Sequence, residues 1–351
     1  MSEKTRRLFI SDVHLGGHEK SAWFKPTEHE HLLLTFFDYV ARQKNVKDLV
    51  LLGDIFDTWM WPMDHVPEPL VALVAKRHPA VVAALQAARG AVENIFYING
   101  NHDMDVRQAE LDAIFGANVV TWIPAYHAGL LYAEHGSRFA MFNAPDKMHD
   151  PKGALPLGYF ITRLLAGTAV EYHRPGALAG FIDDALESLF TSQTIAESVI
   201  EALMELTGRS PGDVFKMPAR RTPEISIAQV QKKYAPLFMR WSDKFGPRYT
   251  VNSVRAEIGS LGYFADLLCK KQGYKVVVLG HTHDAELDKD SLGVPDRVYA
   301  NTGFWCPQRT ELASFVEVDK KDGKYTVRTW TCGDKVAQTA EVLVPDRPSR
   351  M

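Results

Sequence analysis

The stretch "LVLLGDIFDTW", residues 49–59, sets an unbroken apolar run against two carboxylates, Asp54 and Asp57. A continuous run of Leu and Val suits a strand covered on both faces, as in parallel sheets packed between layers. Gly53-Asp54 then falls where the strand leaves the sheet. Taken alone, a Gly-Asp at that place reads as an ordinary turn. It acquires chemical meaning only if other strands deliver partners to the same rim.

Outward from this stretch the chain alternates. "RLFIS" at 7–11 reads as a strand, "EHLLLTFFDYVARQK" at 30–44 as a helix, and "VKDLVLLG" at 46–53 as the next strand. "PAVVAALQAARG" at 79–90 is helical, with Pro79 suited to its start and Gly90 to its end, and "VENIFYING" follows as a strand. Two more short strands are expected near "NVVTWI" and "GLLYAEHG". This alternation predicts an α/β fold. From about 140 to 272 helical periodicity takes over in "LGYFITRLLAG", "IAESVIEALMELTG" and "ISIAQVQKKY". The strand pattern resumes at "YKVVVLGHTH" and continues through "RVYANTG", "ASFVEVD" and "YTVRTWT". The expected organisation is a core of residues 1–139 and 273–351 interrupted by a helical insertion or cap at 140–272. No internal repeat or low-complexity tract divides the chain.

With 351 residues, 46% of them apolar, the chain can bury a conventional core. A formal net charge of −3 supplies no bulk attraction for nucleic acid or an anionic membrane, although a local basic patch is not excluded by it. Cys269, Cys306 and Cys332 have neither zinc-ribbon spacing nor an even count for disulfides, which points to packing roles and a reducing, cytoplasmic setting. The opening "MSEKTRRLFISDVHLGG" has too short an apolar run for a secretory signal. "LVALVAKRHPAVVAALQAA" is interrupted by Lys76, Arg77, His78 and Pro79, so no stretch spans a bilayer without a break. A soluble chain is expected, with peripheral membrane contact left open.

Five segments each place polar residues after an apolar run: "FISDVHLGG", "LLGDIFD", "FYINGNHD", "LYAEHG" and "VVLGHTHD". If these runs are neighbouring strands, their ends gather Asp12, His14, Asp54, Asn101, His135, His281 and His283 on one rim. Carboxylates, imidazoles and an amide oxygen suit divalent transition metals, and the lack of thiolates argues against a structural zinc site. Seven candidates exceed what one catalytic ion needs. Two ions sharing a carboxylate, ~3.5–4 Å apart, would use them, with Asp54 as the natural bridge. In extended backbone residues two apart face the same way, so Asp12 with His14, and His281 with His283, are each expected to face one cluster.

In order and spacing these motifs resemble the calcineurin-like metallophosphoesterase family: D-x-H, GD-x-x-D, GNH-[DE], a later His, and GH-x-H. The resemblance spans residues 12 to 283 through short motifs and finds no match in 140–272. It implies two facing mixed β-sheets flanked by helices. It also implies one metal held by Asp12, His14, Asp54 and His283, and a second held by Asp54, Asn101, His135 and His281. His102 becomes a catalytic imidazole with Asp57 on its other nitrogen, where an Asp partner fixes the tautomer and favours the charged form. The implied reaction is in-line attack of metal-bound hydroxide on a phosphoryl group, with His102 stabilising the transition state or protonating the leaving oxygen. Manganese is the expected metal, with iron, zinc, cobalt or nickel as alternatives.

Other residues divide between chemistry and packing. His18 follows a Gly-Gly loop near the first motif and could touch substrate, though an exposed loop residue reads as well. Trp59 and Trp61 could line a pocket for a base, sugar or acyl group, or simply pack. Lys216, Arg220 and Arg221 lie in a Pro/Gly-containing loop and could hold a second phosphate, or be solvated. The helix "LGYFITRLLAG" suits core packing, with a lipid-facing cap as the alternative.

Three functions fit. The first is a phosphoesterase acting on a small-molecule phosphate ester or diphosphate. Within it, "GDIFDTW" and the helical cap are similar to UDP-2,3-diacylglucosamine pyrophosphatases, from which the chain departs in having His102 after Asn101 and no acid after His135-Gly136. The second is a nuclease or phosphodiesterase on nucleic acid, disfavoured by the acidic balance and the lack of a long basic stripe. The third is a non-catalytic scaffold, opposed by the intact ligand set.

Overall fold

The computed structural model describes residues 3–145, 155–166, 195–218, 223–257, 259–289, 296–307 and 312–346. Its centre is the strand Val46–Leu52, which runs parallel to Arg6–Ile10 on one side and Asn94–Ile98 on the other. Leu49 and Leu51 point to the helical layer, where Leu33, Phe36 and Val40 of the helix Pro26–Arg42 cover them. Val50 and Leu52 point the opposite way, into a second core shared with another sheet. Burial on both faces is the reason that this strand reads as an unbroken apolar run.

The full first sheet has seven strands in the order Val336–Pro345, Lys324–Cys332, Ala313–Lys321, Arg6–Ile10, Val46–Leu52, Asn94–Ile98 and Thr121–Trp122. The last four run parallel and the first three form an antiparallel meander joined to them. Facing it is a five-stranded sheet in the order Glu286–Asp288, Val298–Asn301, Val276–Leu279, Leu131–Ala133 and Tyr126–Ala128. Val276 and Val278 pack against Phe9, Val50 and Val316 of the first sheet. Val277 and Leu279 turn outward beneath Phe264 and Leu268 of the helix Gly262–Gln272. The result is the expected pair of facing mixed sheets between helical layers.

Strand Val336–Pro345 was not legible in the sequence, because it is an edge strand with mostly exposed side chains and no alternating buried stripe. Between Ala133 and Val276 the described elements are mostly helical, with a short antiparallel pair of Val214–Phe215, in a stretch that reads as loop, and Ile225–Ser226, at the start of a stretch that reads as helix. Among the described residues no single helix is long and apolar enough to cross a membrane; Leu70–Arg77 and Pro79–Ala88 meet at a 90° bend. The cysteines are free and buried.

The helix Leu157–Leu165 is buried along its whole length, which excludes the lipid-facing alternative. Its Arg163 is fully buried, and among the described residues no carboxylate forms an ion pair with it, Asp64 acting only at longer range. The guanidinium donates instead to the carbonyls of Trp61 at 3.1 Å, Pro62 at 2.9 Å and Lys216 at 2.6 Å, and to the Tyr159 hydroxyl at 2.9 Å. It also donates to the His65 carbonyl. Burial lowers the Arg163 pKa, yet the fork of donors ties this helix to the loop that follows Asp57. Arg163→Met should therefore destabilise the chain by about 3 kcal/mol, because several buried carbonyls lose their donor at once. Denaturant unfolding checks this, and the parent midpoint retained in the variant would refute it.

Candidate metal centre

The parallel strands end on one rim, and the chain leaves each of them in a tight loop. Asp12 and His14 follow Arg6–Ile10, Asp54 follows Val46–Leu52, and Asn101 and His102 follow Asn94–Ile98. His135 follows Leu131–Ala133, while His281 and His283 follow Val276–Leu279. Asp12, His14, Asp54, His281 and His283 all have positive φ, between 50° and 74°. Non-glycine residues pay roughly 1–3 kcal/mol for sparsely populated backbone regions, and such residues concentrate at functional sites.

This overturns the strand-alternation reading of Asp12-Val13-His14 and His281-Thr282-His283. Neither pair lies in extended backbone. Left-handed turns aim the side chains inward, while Val13 between them is buried in the core behind the rim.

Two glycines let the loops close. A Cβ on Gly53, whose φ is +88°, would sit 2.6 Å from Cβ of His135, and one on Gly100 would collide with the Asp54 carboxylate. Without them the second, third and fourth loops could not meet. Asp54 Oδ1 accepts the His102 backbone N–H at 2.7 Å, which joins two of these loops directly.

The side chains form two groups within ligating reach of one another. Asp12, His14 and His283 make one, and Asp54, His135 and His281 the other; His14, Asp54 and His102 make a third that overlaps both. Asp12 Oδ1 lies 3.3 Å from His283 Nε2, 3.9 Å from His14 Nε2 and 3.9 Å from His135 Nε2. His135 Nε2 is 3.2 Å from Asp54 Oδ2 and 3.2 Å from Asn101 Oδ1. All seven sequence candidates thus converge.

Neighbours fix which imidazole nitrogen faces the cluster. His135 Nδ1 lies 3.0 Å from the Leu52 carbonyl oxygen, so it carries a proton there and Nε2 is the nitrogen turned to the cluster. Asp57 contacts two rings at once, with Oδ2 3.3 Å from His14 Nδ1 and Oδ1 3.1 Å from His102 Nδ1. Its Oδ1 also accepts the backbone N–H groups of Trp59 and Met60, each at 2.8 Å. The carboxylate expected to orient His102 therefore orients His14 as well.

The electrostatics show what the pocket is built to hold. Burial opposes the charge on Asp12, Asp54 and Asp57, yet the surrounding imidazoles hold all three below the usual carboxylate range. Against burial, Asp54 and Asp12 push His135 up to about 10. Burial and the neighbouring His135 bring His281 down to about 3. His102 is raised against burial by Asp57 and Asp54. A concentrated negative field thus faces the ring of imidazoles, and among the described residues Asp12 Oδ1 is buried without a hydrogen-bond donor. Carboxylate, imidazole and amide oxygen without thiolate is the donor set of hard to borderline divalent cations, so the residues fit a divalent metal.

Several contributors were not legible from sequence. Trp23 packs edge-on against His14 with ring centroids 4.5 Å apart, and also lies against His102 and His283. Phe304 stacks on His283 at 4.3 Å. Asp103 accepts N–H bonds from Gly100 at 2.6 Å and Ile55 at 2.9 Å and the Tyr97 hydroxyl, clamping the second and third loops. Burial and Asp54 raise it to about 7. The "GNHD" string contained the only sequence cue to Asp103.

The weaker candidates fare differently. Trp59 is buried and stacks on His102 at 4.6 Å, so it packs and shapes the imidazole's surroundings together. His18 lies against Trp61 and His65, at 5.5 Å and 4.9 Å between ring centroids, rather than against the ligand rings. Lys216 is exposed and pairs with Glu224 at 2.9 Å. Arg220 and Arg221 lie outside the described residues.

No curated protein matches the chain significantly. Among solved structures it is similar to a dimetal phosphatase from Danio rerio, at 12% identity and a TM-score of 0.42, covering 99% of this chain and 100% of that one. It is also similar to Vacuolar Protein Sorting 29 from Cryptosporidium parvum, at 10% identity and a TM-score of 0.37, covering 98% and 100%. These scores are too low to assign chemistry. The calcineurin-like phosphoesterase family model matches residues 5–191, more than half of the sequence, and the chain belongs to that family.

Proposed function

We propose that the chain is a dinuclear metal-dependent phosphoesterase that hydrolyses a phosphate ester or diphosphate of a small molecule. One observation carries this reading: the two ligand groups share a buried rim with His102, whose Nδ1 faces Asp57. In this reading Asp12, His14, Asp54 and His283 hold one ion, and Asp54, Asn101, His135 and His281 hold the other. Bound manganese ions would supply positive charge for the phosphoryl oxygens and acidify a water near neutral pH.

The chain's own residues do the rest. Asp57 fixes the His102 ring through Nδ1, so the proton available to a leaving oxygen is the one on Nε2. Asp57 and Asp54 favour its protonated form. The stacked Trp59 face excludes water from one side of the ring. Beside His135 and Gly100 a cavity of about 380 Å³ opens, with Arg107 and Arg138 in its wall, a size suited to a small molecule. The net charge of −3 favours that class over nucleic acid.

The discriminating experiment is a panel of phosphomonoesters, phosphodiesters and nucleotide diphosphate conjugates assayed with manganese. Two bound ions with no turnover on any member would return the scaffold reading. Asp54→Asn should lose most bound metal and most turnover together, read by metal analysis beside kinetics; a variant holding two ions at full rate would refute the bridge. His102→Ala should keep both ions and lose ~10²–10⁴-fold in rate. Manganese at a free concentration 100 times its Kd should stabilise the fold by about 2.7 kcal/mol, and an unmoved denaturation midpoint would count against any metal centre.

A further inference from the structure

Asn101 differs from the other candidate ligands in one respect. A primary amide has an oxygen that can ligate and a nitrogen that cannot, and the two have nearly the same shape. Its neighbours must decide which end faces the cluster. Asn101 Nδ2 donates to Asn143 Oδ1 at 3.1 Å, leaving Asn101 Oδ1 beside His135 Nε2. Asn143 has the same ambiguity, and its Nδ2 donates to Glu257 Oε2 at 2.6 Å. The other carboxylate oxygen, Oε1, accepts the Phe142 backbone N–H.

A carboxylate can only accept, so its polarity passes along the chain. Glu257 compels Asn143 to present its amino group and turn its oxygen to Asn101. Asn101 must then present its own amino group to Asn143 and its oxygen to the cluster. We propose that Glu257 and Asn143 are positioning residues that set the polarity of the Asn101 amide, and so let the helical segment complete the second cation site. This rests on the reading of Asn101 as a ligand.

The turn that carries Asn143 is gripped to suit that role. Met141 N–H donates to the Ser253 carbonyl at 3.1 Å, and Gly158 N–H donates to the Phe142 carbonyl at 2.7 Å. A Cβ on Gly158 would collide with Asn143 Oδ1, so the asparagine is wedged between the helix Leu157–Leu165 and the carboxylate. Glu257 itself comes two residues after the end of the helix Pro247–Arg255. Burial pushes its carboxyl up to about 8, with the Phe142 and Asn143 N–H groups pulling the other way. The relay is therefore best read above pH 8, where the acceptor-only form is present.

The variant Glu257→Gln keeps the shape and reverses the polarity. Its oxygen must take the Phe142 N–H, which cannot turn, so its amino group faces Asn143 and both asparagine amides invert. Titration calorimetry with manganese above pH 8 should show E257Q weakening the second ion by ~10–100-fold with the first unaffected. Asn143→Ala, which spares the Phe142 contact, should weaken the second ion as well. In an Asn101→Asp background both ends of the side chain at position 101 are oxygen, so adding E257Q should leave the second ion as tight or tighter, because Asn143 can then donate to the introduced carboxylate. Equal losses from E257Q in both backgrounds would assign Glu257 to anchoring the turn and overturn the relay, as would parental affinity in E257Q. If the unmutated chain takes up no second ion, the dinuclear reading fails first and the relay falls with it.

Discussion

Three buried carboxylates joined through shared imidazoles, Asp12 and Asp54 through His135 and Asp12 and Asp57 through His14, form the constraint to which the rest of the structure answers. Like charges in a low-dielectric pocket repel strongly, and an uncompensated buried carboxylate costs several kcal/mol. Here compensation comes from imidazoles on every side and from backbone N–H groups, such as His102 N–H on Asp54 and Met60 N–H on Asp57. The loops that supply them hold five left-handed non-glycine residues. Neither the charge density nor the backbone strain could persist on a soft scaffold. Two sheets packed face to face, with Val50, Leu52, Val276 and Val278 between them, supply the stiffness.

This dependence explains what could be read in advance. A strand buried on both faces has to be apolar throughout, so "LVLLG" and "VVVLG" announce themselves, and polar residues straight after them mark the rim. The candidate ligand set was legible because each member adjoins such a run. Its manner of convergence was not, since left-handed turns leave no periodic trace, and the alternation assumed for Asp12 with His14 was wrong for that reason. Trp23 and Phe304 were invisible because aromatic residues in loops look alike, and only the fold brings them against His14 and His283. The exposed strand Val336–Pro345 lacked the signal altogether.

The helical segment shows a different kind of opacity. Its helices could be recognised by period, yet what they touch is determined by contacts about a hundred residues away in sequence. Arg163 reads as the one charge on an apolar helix, which suggested core packing or a lipid-facing cap. In place it is a structural cation, satisfied by carbonyls of the loop that follows Asp57 and by that of Lys216. Guanidinium suits this role because its planar fork presents five donors at fixed angles, which an ammonium cannot.

Arg163 and Glu257 together define how the segment meets the rim. Each is an ionisable side chain placed against backbone groups of fixed polarity, carbonyls for the arginine and the Phe142 N–H for the glutamate. Apolar packing alone would tolerate small slides of the helices over the rim, since dispersion contacts are many and individually weak. Hydrogen bonds to these two side chains do not, because a displaced donor or acceptor is left without a partner. One anchor grips the loop that carries Asp57 and the other the turn that carries Asn143. The segment is thereby held in register with the residues that orient His14, His102 and Asn101, which makes it part of the site's geometry rather than a cover laid over it.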